Sequence, residues 1–171
     1  MQSPTTVSDD VRIRAATASD LRAIETLLTE SLLPTAGVQE SLSAFLVAEA
    51  NDHIVGVVGM EYCGRFGLLR STAVSPKWRS RQVGKRLVER IIAQAEARGI
   101  HALYLLTTTA ERYFPSFGFQ LAGRDAVPAE IKATSEFREA CPESAAVMCL
   151  PLATQMEPPR HTEKSVSTEA H

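Results

Sequence analysis

Five cations fall within ten residues of this chain: Lys77, Arg79, Arg81, Lys85 and Arg86. They belong to the stretch Val74-Ser75-Pro76-Lys77-Trp78-Arg79-Ser80-Arg81-Gln82-Val83-Gly84-Lys85-Arg86-Leu87. An apolar run ends at Pro76, and an amphipathic helical pattern begins after the turn. Backbone N–H groups at a helix start converge on an anion and carry the positive end of the helix dipole. The whole chain has a formal net charge of −2, so a local phosphate site accounts for this cluster better than a general basic surface. A solvated polar face with incidental arginines is the plainer alternative. Neither a G-x-x-x-x-G-K-[ST] loop nor a G-x-G-x-x-G fingerprint is present.

The elements that must hold this turn follow from periodicity. Alternation predicts a strand over 11–14. Thr17 to Asp20 offers capping side chains to a helix carrying Leu21, Ile24, Leu27 and Leu28, which stops before Pro34. A short helix is expected over 38–44. Strands over 45–48 and 54–60 are joined by Asn51-Asp52-His53, a hairpin signal that puts His53 at the turn. A strand over 67–74 feeds the basic turn. The helix over 84–98 has Leu87, Val88, Ile91, Ile92 and Ala95 on one face and Gly99 to end it. A buried strand over 102–106, a short helix before Phe117-Gly118-Phe119 and a last strand over 145–150 complete the order β-α-α-β-β-β-α-β-α-β. The strand–helix–strand unit over 67–106 makes that strand pair parallel, and the hairpin before it is antiparallel. The fold class is therefore α/β with a mixed sheet.

The chain has 171 residues, 44% hydrophobic and 22% charged, which suits one soluble domain over 11–152. Polar termini over 1–10 and 153–171 are expected to be disordered. Cys63, Cys141 and Cys149 have neither C-x-x-C spacing nor a nearby zinc-like His, so no metal site is expected. A three-thiol trap for a soft metal or an arsenical is the alternative to plain core cysteines. No membrane span and no signal peptide are read, and the cytoplasm is the expected compartment.

Arg79-Ser80-Arg81-Gln82-Val83-Gly84 resembles the R/Q-x-x-G-x-G/A pyrophosphate loop of the GNAT N-acetyltransferase superfamily. Leu69-Arg70-Ser71-Thr72-Ala73-Val74-Ser75-Pro76 is similar to the strand that feeds that loop. The run from Leu103 to Phe114, followed by Gly118-Phe119, is similar to the end of the fold. The resemblance covers about 11–150 and implies a mostly antiparallel central sheet with one parallel, splayed strand pair. It also implies acetyl-CoA as cosubstrate, a small-molecule amine as partner, no nucleic acid and no membrane, with a homodimer left open. The backbone of Ala73 and Val74 would bond the pantetheine. The N–H groups of Arg81, Gln82, Val83, Gly84 and Lys85 would hold the pyrophosphate, and Arg79 would add charge. Gln82 departs from the family's first glycine, and its N–H is available if its φ is negative.

Acetyl transfer to an amine needs a proton acceptor, a donor to the developing oxyanion and a protonated or tolerated thiolate. Phe114 occupies the position where many family members carry an acidic tyrosine. Tyr113 is its neighbour, expected at the core or rim. Glu61 is a base candidate, as is a water held by Ser71 or Thr107. His53 and His101 are set aside.

Strict alternation puts Leu68, Arg70, Thr72 and Val74 on one strand face and Leu69, Ser71 and Ala73 on the other. Arg70 interrupts an apolar run. It either pairs with a carboxylate in the protein or meets one on the substrate, because an unpaired buried guanidinium is costly. Arg14 poses the same question. A closer resemblance, to the acetyltransferase domain of bacterial N-acetylglutamate synthases, rests on Arg70-Ser71-Thr72-Ala73-Val74 and Leu105-Leu106-Thr107-Thr108-Thr109-Ala110. The segment from Val127 to Phe137, with Cys141-Pro142-Glu143-Ser144, resembles arsenic-resistance N-acetyltransferases. Both imply a glutamate-shaped α-amino acid acceptor or an arsenic-containing analogue, with Ser144 lining its pocket. A protein N-acetyltransferase and a non-catalytic acetyl-CoA sensor are the alternatives.

Overall fold

The computed structural model describes residues 10–140 and 143–153. The expected disordered termini therefore lie almost wholly outside the described residues, as do Cys141 and Pro142. Seven strands form one sheet: β1 (Arg12–Ala15), β2 (Leu46–Ala50), β3 (His53–Cys63), β4 (Phe66–Val74), β5 (Ala102–Thr107), β6 (Gln120–Ala122) and β7 (Ala146–Pro151). Their spatial order is β1-β2-β3-β4-β5-β7-β6. Only β4 and β5 are parallel; every other neighbouring pair is antiparallel. The mixed sheet read from the element order, and the mostly antiparallel arrangement that the resemblance implies, are therefore correct.

Three helices cover the sheet: α1 (Leu21–Glu30), α2 (Val83–Ala97) and α3 (Ala129–Lys132). The apolar stripe of α2, including Leu87, Val88, Ile91 and Ala95, packs on Leu46, Val58, Met60, Leu69, Leu103 and Met148. On the opposite face, α1 lays Ile24, Leu27 and Leu28 over Val47, Val57 and Ala73. Further along that face, Ile131 of α3 packs with Leu68, Tyr104 and Val147. Between the last two clusters lies a polar seam, and the candidate site is built around it.

The hairpin turn is tighter than expected. Asn51 and Asp52 both adopt positive φ, 50° and 63°, so two residues make the turn and His53 opens β3 opposite Ala50. The expected helix over 38–44 is only a 3-10 turn, Leu42–Ala44. Gly99 follows α2 with a φ of 74°, the left-handed cap its position suggested. Strand β6 and helix α3 were not anticipated. Three and four residues are too few to show periodicity.

Candidate active site

Two features of β4 open the sheet. First, its ladder to β5 runs only from Phe66–Ala102 to Leu68–Tyr104, although both strands continue. Second, β4 carries a bulge. Gly59 of β3 faces Arg70 while Val57 faces Ala73, so β4 fits one extra residue into that interval. Ser71 sits there with a φ of 58°. The extra residue inverts the alternation beyond it. Leu68 and Ala73 share the α1/α3 face, while Leu69 and Val74 share the α2 face. The faces expected from strict alternation are wrong past Ser71 for this reason.

A cavity of about 460 Å³ lies where β4 ends and α2 begins, lined by Thr72, Ala73, Val74, Trp78, Arg79, Ser80, Gln82, Val83, Gly84, Lys85 and Tyr113. The first bond into α2 runs from the Arg86 N–H to the Gln82 carbonyl, 3.0 Å. The N–H groups of Val83, Gly84 and Lys85 therefore have no acceptor within the helix. Gln82 has a φ of 62° and Ser80 a φ of 65°. The negative φ considered for Gln82 is not what the chain adopts: Gln82 takes the left-handed conformation that a glycine would take freely. Arg79 lines the cavity and donates from Nε to the Val74 carbonyl, 3.2 Å. The Arg81 guanidinium stacks on Trp78 at 4.8 Å and does not line the cavity. Lys85 lines it and approaches Glu89 at 3.8 Å across solvent.

Replacing Gln82 with glycine should relieve left-handed strain, worth on the order of 1 kcal/mol for a non-glycine residue. Part of that gain is offset by the entropy of the unfolded glycine. The expected result is an unchanged or slightly raised melting temperature. A clear fall would mean the Gln82 side chain holds the turn.

A second cavity, about 160 Å³, opens between the splayed strands. Leu69 to Thr72 of β4 and Leu105 to Thr107 of β5 form two walls. Leu33 and Pro34 after α1, with Thr109, Ala110, Tyr113, Phe114 and Glu136, form the rest. Both cavities are lined by Thr72 and Tyr113, so they meet there. Tyr113 is placed differently from the core-or-rim expectation. It precedes a 3-10 turn, Phe114–Phe117, rather than lying on a helix. Phe114 takes the core place, 7% exposed, while Tyr113 turns toward the cavities. Its phenol oxygen sits over Gly84, where an added Cβ would come within 3.2 Å of it. Burial, reinforced by the negative charge of Glu89, raises the Tyr113 pKa above its ordinary value, so the phenol keeps its proton.

Arg70 settles one of the open alternatives. Its side chain is fully buried and its partners are in the protein. Nε donates to Ser71 Oγ at 3.1 Å, Nη1 reaches Glu61 Oε2 at 3.4 Å, and Nη2 donates to the Ala36 carbonyl. Glu136 Oε2 lies 3.5 Å from Nε and has no hydrogen-bond donor. Gly37 packs against the guanidinium so closely that a Cβ there would lie 2.9 Å from Nη1. Arg70 thus ties β3, the segment after α1 and the Glu136 segment to β4. It lines the second cavity, but all three of its nitrogens are engaged.

The other expected residues divide clearly. Ser71 and Thr107 line the second cavity, and Thr107 Oγ1 accepts the N–H groups of Thr109 and Ala110. Glu61 is held by Arg70 and lines neither cavity. Arg14 is spent on the far edge of the sheet: it makes two bonds to Asp20, 2.7 and 2.9 Å, and one to Glu49, 2.7 Å. That pairing holds Asp20 down at about 2. Ser144 is exposed in the turn before β7 and lines neither cavity. Arg14 and Ser144 thus lie outside the linings of both cavities.

Glu136 lies in the segment from Val127 to Phe137, where no motif marks it. It is 6% exposed, and burial pushes its pKa up to about 7. Arg70 opposes that shift and Glu61 adds to it. The folded carboxyl keeps its proton up to about 7, whereas an unfolded glutamate loses it near ~4.3. The contribution of Glu136 to stability is therefore full at low pH and is lost as pH rises through neutrality. Glu136→Gln should gain melting temperature relative to the wild type between pH 5 and pH 8. A difference that does not change with pH would contradict the shift.

Comparison with known proteins agrees with this geometry. Residues 41–121 match the family model described as acetyltransferase (GNAT) domain. Over that span the chain is similar to GNAT acetyltransferases, and its mixed sheet with one parallel pair is shared with solved acetyltransferase structures. The amino-acid acetyltransferase of Edwardsiella ictaluri is 34% identical over 74 residues, 43% of this chain and 17% of that protein. The N-acetylglutamate synthase of Neisseria gonorrhoeae, solved with coenzyme A and L-arginine, is 25% identical, with a TM-score of 0.72 over 84% of this chain and 33% of that one. Rv2747 of Mycobacterium tuberculosis, solved with CoA and NLQ, shares the fold at 22% identity, with a TM-score of 0.70 over 82% of this chain and 99% of that one. The chain thus spans 17% of the first curated relative's length.

Proposed function

We propose that this chain is an acetyl-CoA-dependent N-acetyltransferase acting on the amine of an α-amino acid. The observation that carries this reading is the meeting of two cavities at Thr72 and Tyr113. One has the acceptor-free N–H groups of a helix start and suits a pyrophosphate. The other is small and walled by hydroxyls, apolar side chains and one buried carboxylate, which suits a compact acceptor. The residues of the first cavity fit acetyl-CoA: the N–H groups of Val83, Gly84 and Lys85 for the pyrophosphate, Arg79 and Lys85 for charge, and the end of β4 for the pantetheine arm. The cosubstrate supplies an activated acyl group. The protein's part is to align it with the amine and exclude water.

Finer assignments are also ours. A glutamate-shaped acceptor draws support from the amino-acid acetyltransferase relatives and from the volume of the second cavity, about 160 Å³. An arsenic-containing analogue rests on the resemblance of the segment that includes Glu136. Cys63 and Cys149 are unpaired, which fits a reducing compartment, and we propose the cytoplasm. The test is CoA-thiol release with each of the twenty amino acids, and product mass confirmed by mass spectrometry. Acetylation of one or a few acidic or amide amino acids supports the reading. Turnover only on a peptide N-terminus would replace it.

Tyr113 is assigned to protonate the departing thiolate. A positioned acid is typically worth ~10²–10⁴-fold, and a thiolate is a good leaving group, so the lower end applies. Tyr113→Phe should lower kcat about ten- to a hundredfold with acetyl-CoA affinity little changed. An unaltered kcat would remove the phenol from the chemistry.

A further inference from the structure

Once Glu136 is ionised, the polar seam holds more negative charge than positive. Glu61 and Glu136 both approach Arg70, and no other Lys, Arg or His among the described residues lines the second cavity. With both carboxylates ionised, a cluster of two carboxylates and one guanidinium around the buried Arg70 lacks one cation. Of the two carboxylates, Glu136 is the one that lines the cavity, and its Oε2 receives no hydrogen bond. Arg70 holds Glu61 instead, outside the cavity lining.

Resting on the acetyltransferase reading above, we propose that Glu136 receives the acceptor's ammonium group and is the proton acceptor that frees the amine for attack. The ammonium supplies the missing cation on entering the cavity. One N–H bond then breaks, and its proton passes to the Glu136 carboxylate. The amine lone pair forms the C–N bond at the acetyl carbon, and the C–S bond breaks with its electrons leaving on sulfur. The second proton shed by nitrogen ends on the thiolate, by way of Tyr113 or water. Glu136 afterwards returns its proton to solvent. The sum is ammonium plus thioester giving amide, thiol and one proton.

Position favours this carboxylate for the task. The cavity it lines shares Thr72 and Tyr113 with the first cavity, so an amine held by Glu136 is directed at that junction. Its environment also suits a base that works near neutrality, because burial disfavours the charged form while Arg70 limits the penalty. The charged groups acting on it are Arg70 of β4 and Glu61 of β3, with Tyr113 across the cavity. Specificity follows from the same contact. The site should take primary ammonium groups and reject neutral hydroxyl acceptors, which bring no cation to the cluster.

The test is kcat/KM against pH for wild type, Glu136→Gln and Glu136→Asp, on the best acceptor among the twenty amino acids. Acetyl-CoA affinity and melting temperature serve as controls of folding. In the wild type, kcat/KM should fall as pH drops below about 7. Glu136→Gln should lose ~10²-fold or more and lose that acid limb, with acetyl-CoA affinity within about twofold of the wild type. Glu136→Asp should keep the limb at a reduced rate. If Glu136→Gln keeps both the rate and the limb, the proposal is overturned while the acetyltransferase reading stands. If the wild type acetylates none of the twenty, the acceptor reading itself falls, and this inference with it.

Discussion

Replacing Arg70 with alanine should cost about 3–5 kcal/mol of stability, the range for removing one partner of a buried charge cluster. The side chain is fully buried and bonds three separate segments. Without it, Glu61 and Glu136 face each other uncompensated, and the segment at Ala36 and Gly37 loses its tie. For a domain of this size the melting temperature should fall by roughly 10 °C. Arg70→Lys keeps the charge but not the fork, so it should recover only part of the loss. Pairing Arg70→Met with Glu136→Gln should recover more, because both members of one ion pair are then removed. An Arg70→Ala protein with near-normal stability and a selective loss of acceptor affinity would return the guanidinium to the substrate.

The second large effect concerns Gly84. A Cβ at this position would lie 3.2 Å from the Tyr113 hydroxyl and 3.4 Å from Val74 Cγ2. Gly84→Asp adds an anion where the account places a pyrophosphate. Acetyl-CoA affinity should fall by ~10²-fold or more, as expected when like charges are juxtaposed in a binding site. The fold should survive, because an acidic residue in the first turn of a helix is favourable. Calorimetry beside a thermal melt separates the two effects. Undiminished affinity in a folded variant would move the cosubstrate elsewhere.

The parts of this fold that could be read from the chain are those set by periodicity and turn chemistry. Helix α2 shows its apolar stripe, Gly99 marks its end, and Asn51-Asp52 marks the hairpin. The parallel β4–β5 pair follows from the intervening helix. The anion-binding turn was legible because its cations cluster in a chain that is otherwise slightly acidic. The acceptor side was less so. The bulge at Ser71 has no glycine to announce it, so alternation past that point assigned the wrong faces. Arg14 looked like Arg70 by strand context, and only the fold shows it bonded to Asp20 and Glu49 at the sheet edge. Glu136 carries no motif. One signal could have found it: Glu136 follows the short helical stretch around Ile131, so its burial would have needed a partner, and Arg70 was the cation still in search of one.

The central claim is that one molecule of acetyl-CoA lies with its pyrophosphate at the start of α2 and its thioester where the two cavities meet. A crystal structure of the acetyl-CoA complex tests this most directly. The account requires phosphate oxygens within hydrogen-bond reach of the N–H groups of Val83, Gly84 and Lys85, pantetheine along the end of β4, and the acetyl carbon beside Thr72 and Tyr113, open toward Glu136. Density for the pyrophosphate away from that helix start, or a thioester directed away from the cavity lined by Glu136, would contradict it.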